Sequence, residues 1–169
     1  MAASPENRYD VVPYDAQAFS ETHPEVTAVL ARMHGLEPPP VPTARVLELG
    51  CADGSNLIPL AIALPGADLL GVDLSSRQIT AGQDMIRRLG LPRIDLRTTS
   101  ITELGDDLGP FDYILCHGVY SWVPAEVRTA ILERCARLLA PRGVAFVSYN
   151  TIPGWYPLGL VRGLMLEQA

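Results

Sequence analysis

Residues Glu48-Leu49-Gly50-Cys51-Ala52-Asp53-Gly54-Ser55-Asn56 constrain this chain more than any other stretch. They follow the apolar run Arg45-Val46-Leu47, which reads as a buried strand, and lead into a helical pattern over 57–64. A second apolar run closes on an acid, Asp73, at roughly the 20-residue interval expected between a glycine turn and a ribose-binding carboxylate. Strand, glycine turn, helix, strand, acid is the order that places backbone against an adenosine-containing cofactor.

The rest of the chain repeats the strand–helix alternation. Strands are expected at 44–49, 68–73, 93–98, 111–117 and 144–149. The first intervening helix is expected to start near Ser55 as N-cap and to stop at Pro65-Gly66; the second is capped by Ser75 or Ser76 and ends at Gly90. A third, with Pro124 near its first turn, runs to about 139 and buries Val127, Ile131, Cys135 and Leu138. A last helical segment is expected from about 157 onward. Upstream, 1–22 is polar, and Val26, Val29, Leu30 and Met33 fall at helical spacing over 24–35. Pro38-Pro39-Pro40-Val41-Pro42 is a stiff connector. The expected division is therefore 1–42, an N-terminal helical appendage with a proline linker, and 43–169, a cofactor-binding domain. Alternation of this kind gives an α/β fold, a parallel sheet with helices on both faces. Its ligand sits at the carboxyl ends of the strands, where the winding reverses.

Bulk properties exclude several classes. The net charge is −6 and the basic residues are scattered, so nucleic acid is not an expected partner. All 13 basic residues are Arg, so no Lys serves as base or self-modification site. Cys51, Cys116 and Cys135 are odd in number and lack CxxC spacing, which argues against a disulfide framework or a metal site and suits a reducing, cytoplasmic location. Residues 1–10 carry no signal pattern, and no apolar run approaches the ~18 residues of a membrane span.

The glycine spacing selects the cofactor. Counted from Gly50, a dinucleotide loop would place glycines where Ala52 and Ser55 stand, which argues against a nicotinamide-dependent reductase. Glu48, Gly50 and Gly54 fit E-x-G-x-x-x-G instead, and here the chain resembles the class I S-adenosylmethionine (SAM) methyltransferases. The resemblance implies a Rossmann-like sheet of order 3-2-1-4-5, SAM as cofactor and S-adenosylhomocysteine as product. It implies cofactor contacts from Glu48, Gly50, Cys51, Ala52, Gly54 and Asn56 around the loop. Asp73 would hold the ribose hydroxyls, with Leu74 and Gln78 beside the adenosine. Ser100 stands where relatives commonly carry an acid, so a hydroxyl or backbone group must serve there, and Ile101 supplies an apolar wall.

Two aromatic-rich segments, Cys116-His117-Gly118-Val119-Tyr120-Ser121-Trp122-Val123-Pro124 and Ser148-Tyr149-Asn150-Thr151-Ile152-Pro153-Gly154-Trp155, follow the fourth and fifth strands as a substrate mouth. His117-Gly118-Val119-Tyr120 stands where amino-methylating relatives carry Asn-Pro-Pro-Tyr. With the opening YDVVPY and LELGCADGSNLIPLA, these segments resemble one bacterial family. It holds protein-lysine methyltransferases acting on outer-membrane proteins, and members with a methyltransferase regulatory domain. This resemblance implies that Tyr9, Tyr14 and His23 belong to an element folding over the cofactor, Tyr14 touching it. It implies that His117 contacts the cofactor or orients the acceptor, and it makes His117, Tyr120 and Tyr149 the catalytic candidates. The acceptor is expected to be an amine on a protein or small molecule. The resemblance covers the family's N-terminal catalytic part, without the last two strands of its sheet. The fifth strand is then an open edge. Either the chain is a piece of a longer enzyme, or it pairs through that strand as a homodimer, or the last helix covers the gap. The alternative function is a non-catalytic or incomplete SAM-binding domain that needs a missing partner.

Overall fold

The structure, a computed structural model, describes residues 17–155 and Gly163. Its elements in chain order are α1 (Pro24–Met33), β1 (Arg45–Leu49), α2 (Leu57–Ala63), β2 (Asp68–Asp73), α3 (Ser76–Leu89), β3 (Ile94–Thr98), β4 (Phe111–Cys116), α4 (Ala125–Leu138) and β5 (Leu139–Val147). The strands form one parallel sheet of order β3-β2-β1-β4-β5, as the alternation requires.

Period-2 alternation in the central strands builds two cores. Val46 sits in register between Leu69 and Tyr113, and Leu47 between Leu70 and Ile114. Val46, Leu69, Tyr113 and Leu115 turn to one face, where they meet Leu57 and Leu60 of α2, Ile79 and Ile86 of α3 and Ala28 of α1. Leu47, Leu49, Ile114 and Cys116 turn to the other face, against Ile131, Cys135 and Leu138 of α4. Both faces are covered, which is why β1 and β4 read as near-continuous apolar runs.

Three local readings are corrected. The helix after the glycine turn begins at Leu57, not Ser55. The Ser55 hydroxyl donates to Asp53 Oδ1 at 2.6 Å, and the same oxygen accepts the Ser55 N–H, so Asp53 organises the turn. Second, the apolar stripe of α1 faces outward: Val29 is 53% and Met33 76% exposed, while Pro24, Thr27, Ala28 and Ala31 are buried. Small side chains let this helix lie close to the sheet, and spacing alone does not reveal which of two faces does so. Third, β5 starts earlier than expected and ends at Val147. Leu139 pairs with Phe111 and Val144 with Tyr113, so the segment between them bulges. Gly143 fits there because a Cβ would meet Leu139 Cδ2 at 2.7 Å and the Phe111 carbonyl at 3.0 Å.

The proline run is pinned to the sheet. Pro38 and Pro39 are buried, and the Tyr113 hydroxyl donates to the Pro39 carbonyl at 2.6 Å. Among the described residues no helix is long and apolar enough to cross a membrane. Tyr9, Tyr14 and all but Gly163 of the helix expected from 157 lie outside the described residues.

Candidate cofactor cavity and aromatic lip

Four strand ends converge on a cavity of about 430 Å³. Gly50 and Ala52 line it after β1, Asp73, Leu74 and Gln78 after β2, Thr99, Ser100 and Ile101 after β3, and His117, Gly118 and Val119 after β4; Trp122 and Val127 complete the wall. The sheet order reverses between β1 and β4, and the cavity opens at that switch point.

The glycine turn is held by its neighbours. The N–H groups of Gly50 and Cys51 both donate to the Val72 carbonyl, at 2.9 and 3.1 Å, and the Gly54 N–H donates to the Cys51 carbonyl at 2.8 Å. Gly50 has φ +78°, and a Cβ there would overlap the Val119 side chain. Ala52 takes φ +51°, a conformation unusual for a residue with a side chain. It is held there by its N–H, which donates to Asp73 Oδ2 at 2.9 Å, while Asp73 Oδ1 accepts the Ser75 N–H at 2.9 Å. Asp73 thus ties the β1 loop to the β2 loop, and each oxygen keeps acceptor capacity for a sugar hydroxyl.

Of the expected cofactor residues, Gly50, Ala52, Asp73, Leu74, Gln78, Ser100, Ile101 and His117 line the cavity. Glu48, Cys51, Gly54 and Asn56 are buried and are not among the lining residues. The Glu48 carboxyl accepts from Asn56 Nδ2 at 2.8 Å through Oε1; Oε2 has no partner among the described residues. Burial pushes this carboxyl up to about 7, the Asn56 hydrogen bond opposes the rise, and the Asp73 charge adds to it. Ser100 is engaged locally: its hydroxyl lies 2.7 Å from the Thr102 hydroxyl and accepts the Thr102 N–H.

His117 packs between two rings, with centroids 4.1 Å from Phe19 and 6.1 Å from Phe146; its Nδ1 is buried without a partner among the described residues. Tyr120 and Tyr149 meet edge to face at 6.4 Å, and Trp122 and Trp155 at 5.6 Å. The two loops that carry them are joined by backbone donors, Gly118 N–H to Ser148 Oγ and Asn150 N–H to Ser121 Oγ. Tyr120 and Tyr149 lie outside the cavity lining, and Tyr149 is 65% exposed.

Burial is the leading cause that raises all three thiols, Cys116 to about 12 and Cys135 to about 11, so none is a thiolate nucleophile near neutral pH.

Sequence reasoning missed Phe19 and Thr22, which dock on this site from far along the chain, and Gly82 of α3, where a Cβ would overlap the Asp53 carbonyl. An isolated Gly inside a helical pattern was the available signal for Gly82; no local pattern marks Phe19.

The chamber suits SAM. Bare backbone of the glycine turn lies along one side, and the Asp73 carboxylate, with acceptor capacity left on both oxygens, stands at the end of β2. Comparison with known proteins agrees. The methyltransferase domain family matches residues 47–145. The protein RP789 of Rickettsia prowazekii is 46% identical over 160 residues, 95% of this chain and 29% of that protein. RP028 of the same organism is 45% identical over 158 residues, 94% of this chain and 63% of that protein. The structure of PKMT2 from Rickettsia typhi in complex with AdoHcy superposes with a TM-score of 0.85 at 45% identity, covering 91% of this chain and 30% of that one. The chain thus spans under a third of RP789 and of PKMT2.

Proposed function

Because the chain belongs to the methyltransferase domain family and resembles PKMT2, a protein solved in complex with AdoHcy, we propose that it transfers a methyl group from SAM to an amine, a protein lysine being the favoured acceptor. The observation that carries the amine reading is the aromatic lip: two ring pairs on joined loops stand beside the donor cavity. Bound SAM supplies an activated methyl group on a sulfonium.

The chain's own work is placement. Asp73 and the Gly50–Ala52 backbone seat the nucleoside, and the loops after β4 and β5 bring the acceptor into line, so alignment supplies most of the rate. A lysine, with an ordinary pKa of ~10.4, must arrive neutral. An apolar aromatic passage favours loss of its proton by desolvation. In this reading His117 on the cavity wall, or Tyr120 or Tyr149 on the lip, relays that proton. Three buried, unpaired thiols support a reducing location such as the cytoplasm.

Labelled SAM offered with lysine-bearing proteins or peptides, and with phenolic acceptors for contrast, tests the proposal. Methyl-lysine identified by mass spectrometry is expected; transfer to hydroxyl acceptors alone overturns the amine assignment. A second reading, a SAM-binding unit that needs further chain for catalysis, is favoured by the share of RP789 and PKMT2 that this chain spans. Cofactor binding without transfer to any acceptor would support it.

A further inference from the structure

Asn56 was expected to touch the cofactor, but its contacts run elsewhere. It occupies the N-cap position of α2 and makes no cap hydrogen bond. Its Nδ2 donates to Glu48 Oε1 at 2.8 Å and to Thr22 Oγ1 at 3.0 Å, and its Oδ1 accepts the Phe19 N–H at 3.0 Å. The Thr22 hydroxyl donates to the Phe19 carbonyl at 2.8 Å, closing the group. Glu48, Asn56 and Thr22 are all buried. Phe19, fixed by this network, lays its ring on His117, and His117 lines the cavity. A continuous chain of contacts therefore leads from the buried acid of β1, through Asn56 and the segment 19–22, to the cavity wall after β4.

We propose that Asn56 is a positioning residue: by fastening segment 19–22 to Glu48 it fixes one carboxylate oxygen and leaves the other for the ammonium of the donor's amino-acid arm. The inference rests on SAM being the cofactor. Its physical basis is the asymmetry of the carboxyl group. Oε1 is held, whereas Oε2 is buried without a partner among the described residues, so the charged carboxylate is costly there until a proton or a cation meets that oxygen. Without Asn56 the carboxyl is free to turn, and the Phe19–His117 contact loses its anchor.

The test uses the 169-residue chain and two ligands, S-adenosylhomocysteine and 5′-methylthioadenosine, which share the thioether nucleoside but differ in the amino-acid arm. Calorimetric titration of wild type, Asn56→Ala, Thr22→Val and Thr22→Ser gives the affinities. Asn56→Ala is expected to weaken S-adenosylhomocysteine about tenfold or more, through lost hydrogen bonds to a charged group, and to leave methylthioadenosine within about twofold. Thr22→Val is expected to repeat the pattern more weakly, and Thr22→Ser, which keeps the hydroxyl, to restore wild-type affinity. If Asn56→Ala fails to fold, the two Thr22 variants decide. Equal loss of both ligands, or loss of neither, overturns the inference while the cofactor assignment stands. Wild-type protein that binds neither ligand overturns both.

Discussion

Glu48 and Asp73 are two carboxylates with different surroundings. Asp73 accepts two backbone N–H groups and lines the cavity, so Asp73→Ala removes both the bridge between the loops and the proposed partner for the sugar. Affinity for S-adenosylhomocysteine should fall at least about tenfold, with stability lower by about 1–3 kcal/mol; calorimetry and urea melts report the two effects. Glu48 is buried beside Asn56, with Asp73, Cys51 and Cys116 as its ionisable neighbours. Burial lifts its carboxyl from 4.5 to about 7. Between those values the folded chain holds a proton that the unfolded chain has released. Stability from this group is therefore present below about pH 4.5 and lost as pH rises through about 7, by up to about 3 kcal/mol. Urea melts of the ligand-free protein across this window, differenced against Glu48→Gln, should show that slope in the wild type and not in the variant. An ammonium brought near the carboxyl reverses the preference, so binding S-adenosylhomocysteine at about pH 6 should release a proton, read from the buffer dependence of the binding enthalpy.

At the scale of elements, the close seating of α3 on the glycine turn depends on Gly82. A methyl group there would overlap the Asp53 carbonyl and crowd Leu96, so Gly82→Ala should destabilise by about 1–3 kcal/mol and loosen cofactor binding with it. Gly90→Ala is the control: Gly90 ends the same helix at φ +64° with open space around it, so it should cost about 1 kcal/mol of backbone strain and leave affinity unchanged. Thermal melts paired with titrations separate the two. The contrast also shows what was legible in the sequence. Gly90, Ser75 and Pro124 announce helix ends because capping is chemistry among near neighbours. The glycine turn and the strand-end position of Asp73 were legible for the same reason, since both belong to one supersecondary unit. Gly82 against Asp53, and Phe19 and Thr22 against Asn56, are contacts across distant segments, and no local periodicity encodes them. Which face of α1 is buried was not legible, because Ala28 and Ala31 carry too little apolar surface to outweigh Val29 and Met33 in a pattern count, although small residues are what a close helix–sheet contact needs.

At the scale of the whole molecule, the β5 flank differs from the rest of the sheet. Among the described residues β5 pairs only with β4, and its side chains are half-buried where the inner strands are sealed. α1 packs beside β5, and its exposed Val29, Leu30 and Met33 extend an apolar surface along that side. The cavity lies mainly over the ends of β1 to β4, away from this flank. Binding of the nucleoside and association through the edge should therefore be separable. An outer strand edge without a partner among the described residues, beside an apolar helix, favours pairing with another copy as concentration rises toward millimolar. Sedimentation velocity should show a reversible dimer, and Ala145→Lys, which places a charge on an exposed position of β5, should shift it toward monomer with affinity for S-adenosylhomocysteine unchanged. Wild-type protein that stays monomeric throughout would mean that the edge is covered within one chain; a variant that loses both dimer and ligand would mean that the flank and the cavity are coupled.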